Sequence, residues 1–375
     1  MDGYAPRPVF VTIYDLFDRH YIAADPRCTM WIVSLRSFLA WYREHARTLP
    51  WRREPRNPYH VLVSEFMLQQ TQVDRVVPRF ESFVGRFPTF EVLAGALEEA
   101  VLEEWSGLGY YRRARMLHRL AREVVERPDG LPHTAGELVK LPGIGPYTAA
   151  AVASLAFGEA EPVLDGNVMR VGARVQALEA DPRSAEGRYQ LEGWIRSLME
   201  GESPGQVNEA LMELGATVCT PVGPGCGRCP FGSECEARDE GRQEDYPPPR
   251  RRRATVSLRW IAACVVDADG SWLVRRVDEG SILRGLWLPP LVELEEGADP
   301  VQAAARVVPF GAASSPTMGS AVRHHITHRK IDVIPVRFKA NRVEPLTGAW
   351  RWVNPRNPGV PTSSLFTKLV DAVSG

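Results

Sequence analysis

The chain has 375 residues, of which 44% are hydrophobic and 24% are charged, and its formal net charge is −1. This length predicts two domains with separate cores, and no apolar run is long enough to predict a membrane span. A net charge near zero excludes a partner recognised through overall charge alone. Binding to nucleic acid therefore has to depend on local basic patches, of which residues 110–122 and 250–253 are two.

Residues 1–30 form an N-terminal extension to which the sequence assigns no role, and Met30 is a plausible alternative start. The extension lacks the basic, apolar and small-residue order of a signal peptide. We therefore expect a cytoplasmic protein, associated with the nucleoid if it is bacterial, that does not bind membranes.

An apolar helix with one acidic residue is predicted after residue 57. Asn57 fits the capping position and Pro58 fits the first helical position. Glu65 lies among residues predicted to form the core, which are Val61, Leu62, Phe66 and Leu68. Burial raises the pKa of a carboxyl group toward that of a working general acid. The alternative is a partly buried glutamate in a helix pair with no chemical role.

The helix is predicted to break at Gln69 and Gln70, because Thr71 and Asp74 have the spacing of a cap for a second helix. Two amides in a tight break beside a potential proton donor indicate a reaction site.

The spacing of apolar residues divides the rest of the chain into a helical region and a linker. Apolar residues recur at helical spacing through residues 31–237, as at Leu93, Leu97 and Val101. Residues 238–256 are charged, rich in proline and poor in aliphatic residues, which predicts a linker.

Residues 257–375 are predicted to form a smaller α+β domain. Trp260–Val266 and Ser271–Val277 flank a turn sequence and predict a hairpin. Apolar and polar residues alternate along Lys330–Phe338, which predicts another strand.

Four of the six cysteines lie close together, at Cys219, Cys226, Cys229 and Cys235. Without a secretion signal, such thiols indicate metal ligands rather than disulfides. Their spacing is not the two-pair pattern of zinc ribbons, and four thiolates are what a [4Fe–4S] cluster requires, which favours iron–sulfur over zinc. Zinc stays open on the residues alone.

A glycine turn precedes another helix. Gly143 and Gly145 allow a tight turn with exposed amides, and Pro146 can begin the helix. Free N–H groups at a helix start can bind phosphate, although most such turns are only turns.

A second carboxylate, Asp165, is predicted to begin a further helix, where N–H groups would keep it ionised. Its alternative role is a plain helix cap. One protonated and one ionised carboxyl group are what cleavage of a glycosidic bond requires.

Together the hairpin, the downstream aspartate and the cysteine spacing resemble the endonuclease III superfamily of DNA glycosylases. Five further motifs resemble the MutY-type adenine DNA glycosylases, which excise adenine mispaired with 8-oxoguanine: Leu49–Arg52, Ser64–Gln72, Gly107–Tyr111, Leu164–Val168 and Asn208–Met212. The resemblance implies a mainly α helix-hairpin-helix glycosylase region at residues 31–237, with a [4Fe–4S] loop at 219–235. Bifunctional lyases of the superfamily carry a Schiff-base lysine at the place of Tyr147. With no amine there, base removal should be hydrolytic.

The resemblance also implies residue roles. Glu65 would protonate adenine N7, and Asp165 would stabilise the cationic sugar, with Tyr147 and Asn167 close by. Gln70 and Tyr110 would enter the base stack, because excision from a duplex requires extrusion of the base. The pocket for the extruded adenine would be lined by Trp51, Arg52, Leu68 and Glu209. The cluster would be structural and would order a basic loop against phosphate.

The C-terminal domain, residues 257–375, resembles the Nudix-like domain that these enzymes use to sense 8-oxoguanine. Gly285–Pro289 matches its fold signature, while the magnesium-binding acidic box is absent, so we expect no pyrophosphatase activity. Ile326, Thr327 and His328 occupy the lesion-recognition loop. Ile326 stands where the family usually has an aromatic residue. Because stacking on a base contributes about 1–3 kcal/mol, we expect weaker discrimination for 8-oxoguanine.

The expected partner is double-stranded DNA that contains adenine opposite 8-oxoguanine or guanine, bound by a monomer. Two alternatives stay open. One is another glycosylase of the superfamily, specific for mismatched thymine or uracil or acting as a lyase. The other is a non-catalytic lesion-binding protein.

Overall fold

The computed structural model describes residues 26–249, 255–278, 283–308, 316–326, 328–340 and 349–374, without the side chains of 26–34 and 374. It divides into two compact units. The first holds the described residues of Met1–Thr48 and Ala153–Pro249, and the second holds those of Leu49–Val152 and Arg250–Gly375. Within these ranges no helix combines the length and apolar character needed to cross a membrane. The predicted domain boundaries stay a prediction.

The described part of the chain from Pro26 to Asp239 is mainly helical, as predicted for residues 31–237. The described helices are α1 Pro26–His45, α2 Pro58–Leu68, α3 Val73–Arg86, α4 Phe90–Gly95, α5 Glu98–Glu104, α6 Arg112–Glu126, α7 Ala135–Leu138, α8 Pro146–Phe157, α9 Gly166–Val175, α10 Ala185–Met199, α11 Pro204–Thr217, α12 Glu236–Asp239, α13 Pro300–Ala305 and α14 Ser364–Ser374. One periodic residue does not lie in the core: Leu97 precedes α5 as its N-cap and is 77% exposed.

The core of the first unit forms where α1, α9, α10 and α11 meet. Phe38 of α1 and Leu211 of α11 are fully buried in it. Phe231 from the cysteine-containing segment joins them, with its ring centroid 4.6 Å from that of Phe38. Burial of such aromatic and aliphatic side chains contributes about 1.5–3 kcal/mol each. The cysteine-containing segment is therefore held to the helices by apolar packing as well as by polar contacts.

The C-terminal part of the second unit is built on a mixed sheet. Its described strands are β1 Val256–Val266, β2 Trp272–Arg276, β3 Trp287–Leu288, β4 Leu291–Glu293, β5 Thr317–Met318, β6 Val322–Ile326, β7 Arg329–Lys339 and β8 Trp350–Val353. The order is β3-β2-β1-β7-β5, with β4 also on β1, β6 on β7 and β8 on β2. Strands β1 and β7 run parallel over their whole length.

The predicted hairpin and the predicted strand near residue 330 are both present. Strands β1 and β2 pair antiparallel, and Oδ1 of Asp267 closes their turn by accepting from the backbone N–H of Ser271 at 2.8 Å. Helix α13 packs on one face of the sheet through Ala304 against Val336 and Phe338. The predicted fold class, a mainly α region followed by an α+β domain, is confirmed.

Candidate active site and cysteine cluster

The helix that carries Glu65 begins where the sequence predicts. Oδ1 of Asn57 accepts hydrogen bonds from the backbone N–H groups of Tyr59, at 2.9 Å, and His60, at 3.3 Å. These bonds satisfy two of the N–H groups that have no partner within a helix. Two turns later Glu65 is only 5% exposed, among side chains that are fully or almost fully buried. The capped helix therefore holds one carboxyl group away from solvent.

Helix α2 ends at Leu68, and the predicted break follows. Gln70 is exposed and has a left-handed backbone, with φ of 58°. The prediction that Thr71 caps the next helix is wrong, because α3 begins at Val73 and its N-cap is Gln72. The hydroxyl of Thr71 instead accepts a hydrogen bond from Arg113 at 3.1 Å. That arginine competes for the oxygen that a cap would need.

Tyr110 shares this unusual backbone conformation. Its φ is 47° and its side chain is 42% exposed. Among the described residues other than glycine, φ is positive at Gln70, Tyr110 and Ala177. Such conformations are uncommon without glycine and cluster at functional sites. Two of the three are the residues expected to enter the base stack.

The glycine hairpin lies between α7 and α8, as predicted. Gly143 has φ of +78°, and a Cβ atom at this position would lie 2.5 Å from Cβ of Met116. An added Cβ at Gly145 would have no neighbouring atom within 4 Å, and this glycine needs no special backbone. Tyr147 follows in the first turn of α8 and is half-buried. The amide of Gln69 reaches the same turn, donating to Oγ1 of Thr148 at 3.3 Å.

Asp165 is the N-cap of α9 in the first unit. Its Oδ1 accepts from the backbone N–H of Val168 at 2.6 Å, and its Oδ2 accepts from the amide of Asn167 at 3.0 Å. Burial nevertheless raises the pKa of Asp165, and these two donors oppose the shift only in part. The expectation that helix-end N–H groups keep Asp165 ionised stays a prediction, because its hydrogen-bond donors favour the ionised form while desolvation opposes it.

Asn167 is itself held toward the cysteine segment. Its Oδ1 accepts from the guanidinium of Arg170 at 2.8 Å, and Nε of the same arginine donates to the carbonyl of Cys219 at 2.7 Å. Sequence reasoning does not select Arg170. The sequence feature that could have identified Arg170 is its position four residues after Gly166, which places it one helical turn along α9.

Two neighbouring residues of α11 have different environments. Glu209 is buried, and its Oε2 accepts from the hydroxyl of Tyr42 at 2.9 Å. Asn208 is fully buried and holds the segment that leads into Asp165. Its Oδ1 accepts from the backbone N–H of Val163 at 3.1 Å, and its amide donates to the carbonyl of Glu161 at 2.8 Å. The sequence indicates Asn208 only as part of a motif, since spacing cannot show this contact.

The four clustered cysteines are free thiols, and all four line one cavity in the first unit. In the described part of the chain, no three histidine, cysteine, aspartate or glutamate side chains converge closely enough to hold a single metal ion. Burial raises the pKa of Cys229 to about 12. Arg174 is buried beside them and donates toward Sγ of Cys219 at 3.4 Å and to the carbonyl of Thr220 at 2.7 Å.

This donor set fits a group bound by four thiolates, because a buried cation lies beside thiols that would carry negative charge. The expectation that the cluster orders a basic loop stays a prediction, and no residue between Cys219 and Cys226 is charged. Cations near this segment include Arg170, Arg174 and Arg228.

The remaining predicted site residues lie in the second unit. Trp51 is buried and meets Phe80 edge to face, with 5.2 Å between the ring centroids. Arg52 and Leu68 are half-buried, so Leu68 is less enclosed than the predicted core. In the loop predicted to recognise the lesion, Ile326 ends β6 opposite Arg329, and His328 is half-buried. Thr327 lies outside the described residues.

Comparison with known proteins identifies the family. Residues 63–197 match the HhH-GPD superfamily base excision DNA repair proteins. An adenine DNA glycosylase of Homo sapiens is 49% identical over 217 residues, which cover 56% of this chain and 40% of that protein. A solved thermostable thymine-DNA glycosylase is 27% identical with a TM-score of 0.52, over 58% of this chain and 100% of that chain.

The chain spans 40% to 61% of the length of the human, rat, Arabidopsis thaliana and mouse relatives. Coverage is higher for the adenine DNA glycosylase of Mycobacterium tuberculosis, which is 42% identical over 275 residues, or 69% of this chain and 90% of that protein. The chain therefore belongs to the family of adenine DNA glycosylases.

Proposed function

We propose that this protein is a monofunctional glycosylase that hydrolyses the N-glycosidic bond of adenine mispaired with 8-oxoguanine or guanine in double-stranded DNA, and that it acts as a monomer. The observation that carries the proposal is the setting of Glu65. This buried carboxyl group lies on a capped helix that ends, three residues later, before the exposed left-handed residue Gln70. A proton donor next to a strained polar break suits a reaction on an extruded base.

In this proposal Glu65 gives a proton to N7 of adenine, which makes the base a better leaving group, and then positions or deprotonates the attacking water. An ionised Asp165 stabilises the positive charge that develops on the sugar. Its hydrogen bonds from Val168 and Asn167 orient the carboxylate for this role. Tyr147 provides no amine, so no imine with the sugar forms and the strand stays intact.

The proposal also assigns the residues that contact the DNA and the extruded adenine. Gln70 and Tyr110 enter the stack when the base is extruded, and their exposed, left-handed conformations support this role. Adenine is contacted by Trp51, Arg52, Leu68 and Glu209. The amides of the turn at Gly143 and Gly145 bind a DNA phosphate.

The four clustered cysteines would hold a [4Fe–4S] cluster, which when bound cross-links the segment from Cys219 to Cys235. The contacts of Arg174 with this segment support a structural role, because they fix its backbone carbonyls to α9. We also propose that residues 257–375 form the Nudix-like domain that senses 8-oxoguanine through Ile326, Thr327 and His328. Loss of lesion preference in Thr327→Ala, with preference kept in Ile326→Phe, would support this assignment, and indifference to both changes would contradict it.

The test is single-turnover base release from four duplexes, carrying adenine opposite 8-oxoguanine, adenine opposite guanine, thymine opposite guanine, and adenine opposite thymine. Each product is analysed with and without hot alkali. Adenine loss from the first two, with nicks only after alkali, is the expected result. Thymine release or alkali-independent nicking would contradict it.

Glu65→Gln separates catalysis from binding. The amide has nearly the shape of the acid but cannot give up a proton in the same way, so lesion binding should persist while base release is lost. If the wild-type protein binds the lesion without any base release, the chain is a non-catalytic lesion-binding protein.

A further inference from the structure

Arg113 differs from the other arginines at the start of α6. The sequence predicts a basic surface patch at residues 110–122, and Arg112, Arg119 and Arg122 are indeed exposed. Arg113 is only 8% exposed. An arginine is rarely buried unless its donors are occupied, so its partners indicate its role.

The guanidinium of Arg113 joins two segments that are about forty residues apart in the sequence. Nη1 donates to three carbonyl groups at the end of α2, those of Phe66 at 2.8 Å, Met67 at 2.9 Å and Gln69 at 2.6 Å. Nη2 donates to Oγ1 of Thr71 and to the carbonyl groups of Leu108 and Gly109, each at 3.1 Å. Carbonyl groups at a helix end have no partner within the helix, so this side chain satisfies groups that would otherwise need water.

These acceptors flank the two left-handed residues. Gln70 lies between two of them, Gln69 and Thr71, and Tyr110 directly follows a third, Gly109. The guanidinium carbon also lies 5.6 Å from the ring centroid of Tyr110, within the range of a cation–π contact. One buried side chain thus contacts the backbone carbonyl before Gln70, the hydroxyl of the residue after it, and the two carbonyl groups before Tyr110.

We propose that Arg113 is a positioning residue that holds the turns of Gln70 and Tyr110 at a fixed separation, so that both side chains enter an opened duplex together. The inference rests on the proposed function, in which these two residues replace the extruded base. Arginine is required because its planar fork carries two terminal nitrogens, one bonded to the end of α2 and the other to Thr71 and the carbonyl groups before Tyr110, whereas lysine has its three donors on one atom and cannot span both turns. Burial lowers the pKa of Arg113 to about 10, which leaves the side chain charged at neutral pH.

The test is a double-mutant cycle. Arg113→Lys is made in the wild-type protein and in the Gln70→Ala, Tyr110→Ala background, with Arg127→Lys as the control for loss of an exposed guanidinium at the end of the same helix, outside the basic patch. Single-turnover adenine release is measured for each. Duplex opening is measured separately, by fluorescence of 2-aminopurine beside the mispair, on the same variants carrying Glu65→Gln.

Arg113→Lys should reduce opening and base release by about 10- to 100-fold, because a displacement of about 1 Å can cost that much. It should cause less than about twofold further loss when Gln70 and Tyr110 are already alanine, since coupled residues are not additive. Arg127→Lys should match the wild type. An equal loss in both backgrounds, or no loss in either, would overturn the positioning role.

Two further comparisons separate a folding defect from loss of positioning, and failure of this inference from failure of the proposed function. If Arg113→Lys does not fold, Thr71→Val removes one of the six acceptors, and a loss of up to about tenfold that disappears in the double-alanine background is expected. No loss in Thr71→Val would overturn the inference. Opening requires no bond cleavage, so a wild-type protein that opens the duplex but releases no base defeats only the proposed function.

Discussion

Replacing Gly143 by alanine should destabilise the glycine hairpin, whereas the same change at Gly145 should not. The two glycines lie two residues apart in one turn, yet their environments differ. Gly143 has φ of +78°, and an added Cβ would lie 2.5 Å from Cβ of Met116 and 3.1 Å from Cε1 of Phe66. Gly145 has no atom within 4 Å of an added Cβ and no positive φ.

The magnitude follows from two separate costs at Gly143. A residue with a Cβ in the left-handed region costs about 1–2 kcal/mol relative to glycine. The overlap with Met116 involves Cβ, which cannot move without its backbone, and overpacking costs typically about 1–3 kcal/mol. Gly143→Ala should therefore lower the free energy of unfolding by about 2–5 kcal/mol. Gly145→Ala should change it by less than about 1 kcal/mol. Alanine weakens the helix cap, but it also reduces the conformational entropy of the unfolded chain, and the two effects offset each other.

The assay is denaturant unfolding followed by far-ultraviolet circular dichroism, together with binding to an undamaged duplex. Gly143→Ala should shift the unfolding midpoint and weaken DNA binding, since the turn amides move. Gly145→Ala should keep the wild-type midpoint. Equal midpoints for the two variants would refute the reasoning, because they would show that the close approach to Met116 relaxes without cost.

Three further changes test the site. Asn57→Ala removes the cap of the helix that carries Glu65, and should lower the free energy of unfolding by about 0.5–2 kcal/mol in a denaturation experiment; no change would show that water replaces the cap. Asn208→Ala leaves the buried N–H of Val163 without its acceptor and should cost about 1–3 kcal/mol, whereas an unchanged midpoint would contradict a role for this bond. For Asp165, burial raises the pKa, and the ionised form is the one that stabilises a cation. Single-turnover base release should therefore fall as the pH drops through that raised pKa, with an acid-limb midpoint above the ordinary value of 3.8, and a midpoint at or below 3.8 would contradict this.

Local features of the site were predictable because they depend on neighbouring residues. The cap at Asn57 and the helix start at Asp165 each follow from a few adjacent side chains with fixed preferences. The hairpin at β1 and β2 was predictable for the same reason, since its alternating strands flank a short polar turn.

Contacts between distant segments were not predictable. Thr71 has the spacing of a helix cap, but Arg113 lies forty-two residues away and takes its hydroxyl. For Asp165 the sequence shows the helix-end donors but not the desolvation that raises the pKa. In both cases a local preference is opposed by an interaction that exists only in the folded chain.

Backbone conformation adds information that residue types do not carry. Neither Gln70 nor Tyr110 has a side chain that favours a positive φ, and such a conformation persists only where the surrounding structure imposes it. The bonds from Arg113 to carbonyl groups beside both residues provide that constraint within the second unit. If the strain serves base extrusion, relaxing it by Gln70→Gly should raise the free energy of unfolding while lowering the extent of duplex opening. A glycine variant that opens the duplex as well as the wild type would instead mean that the conformation is a by-product of the helix end.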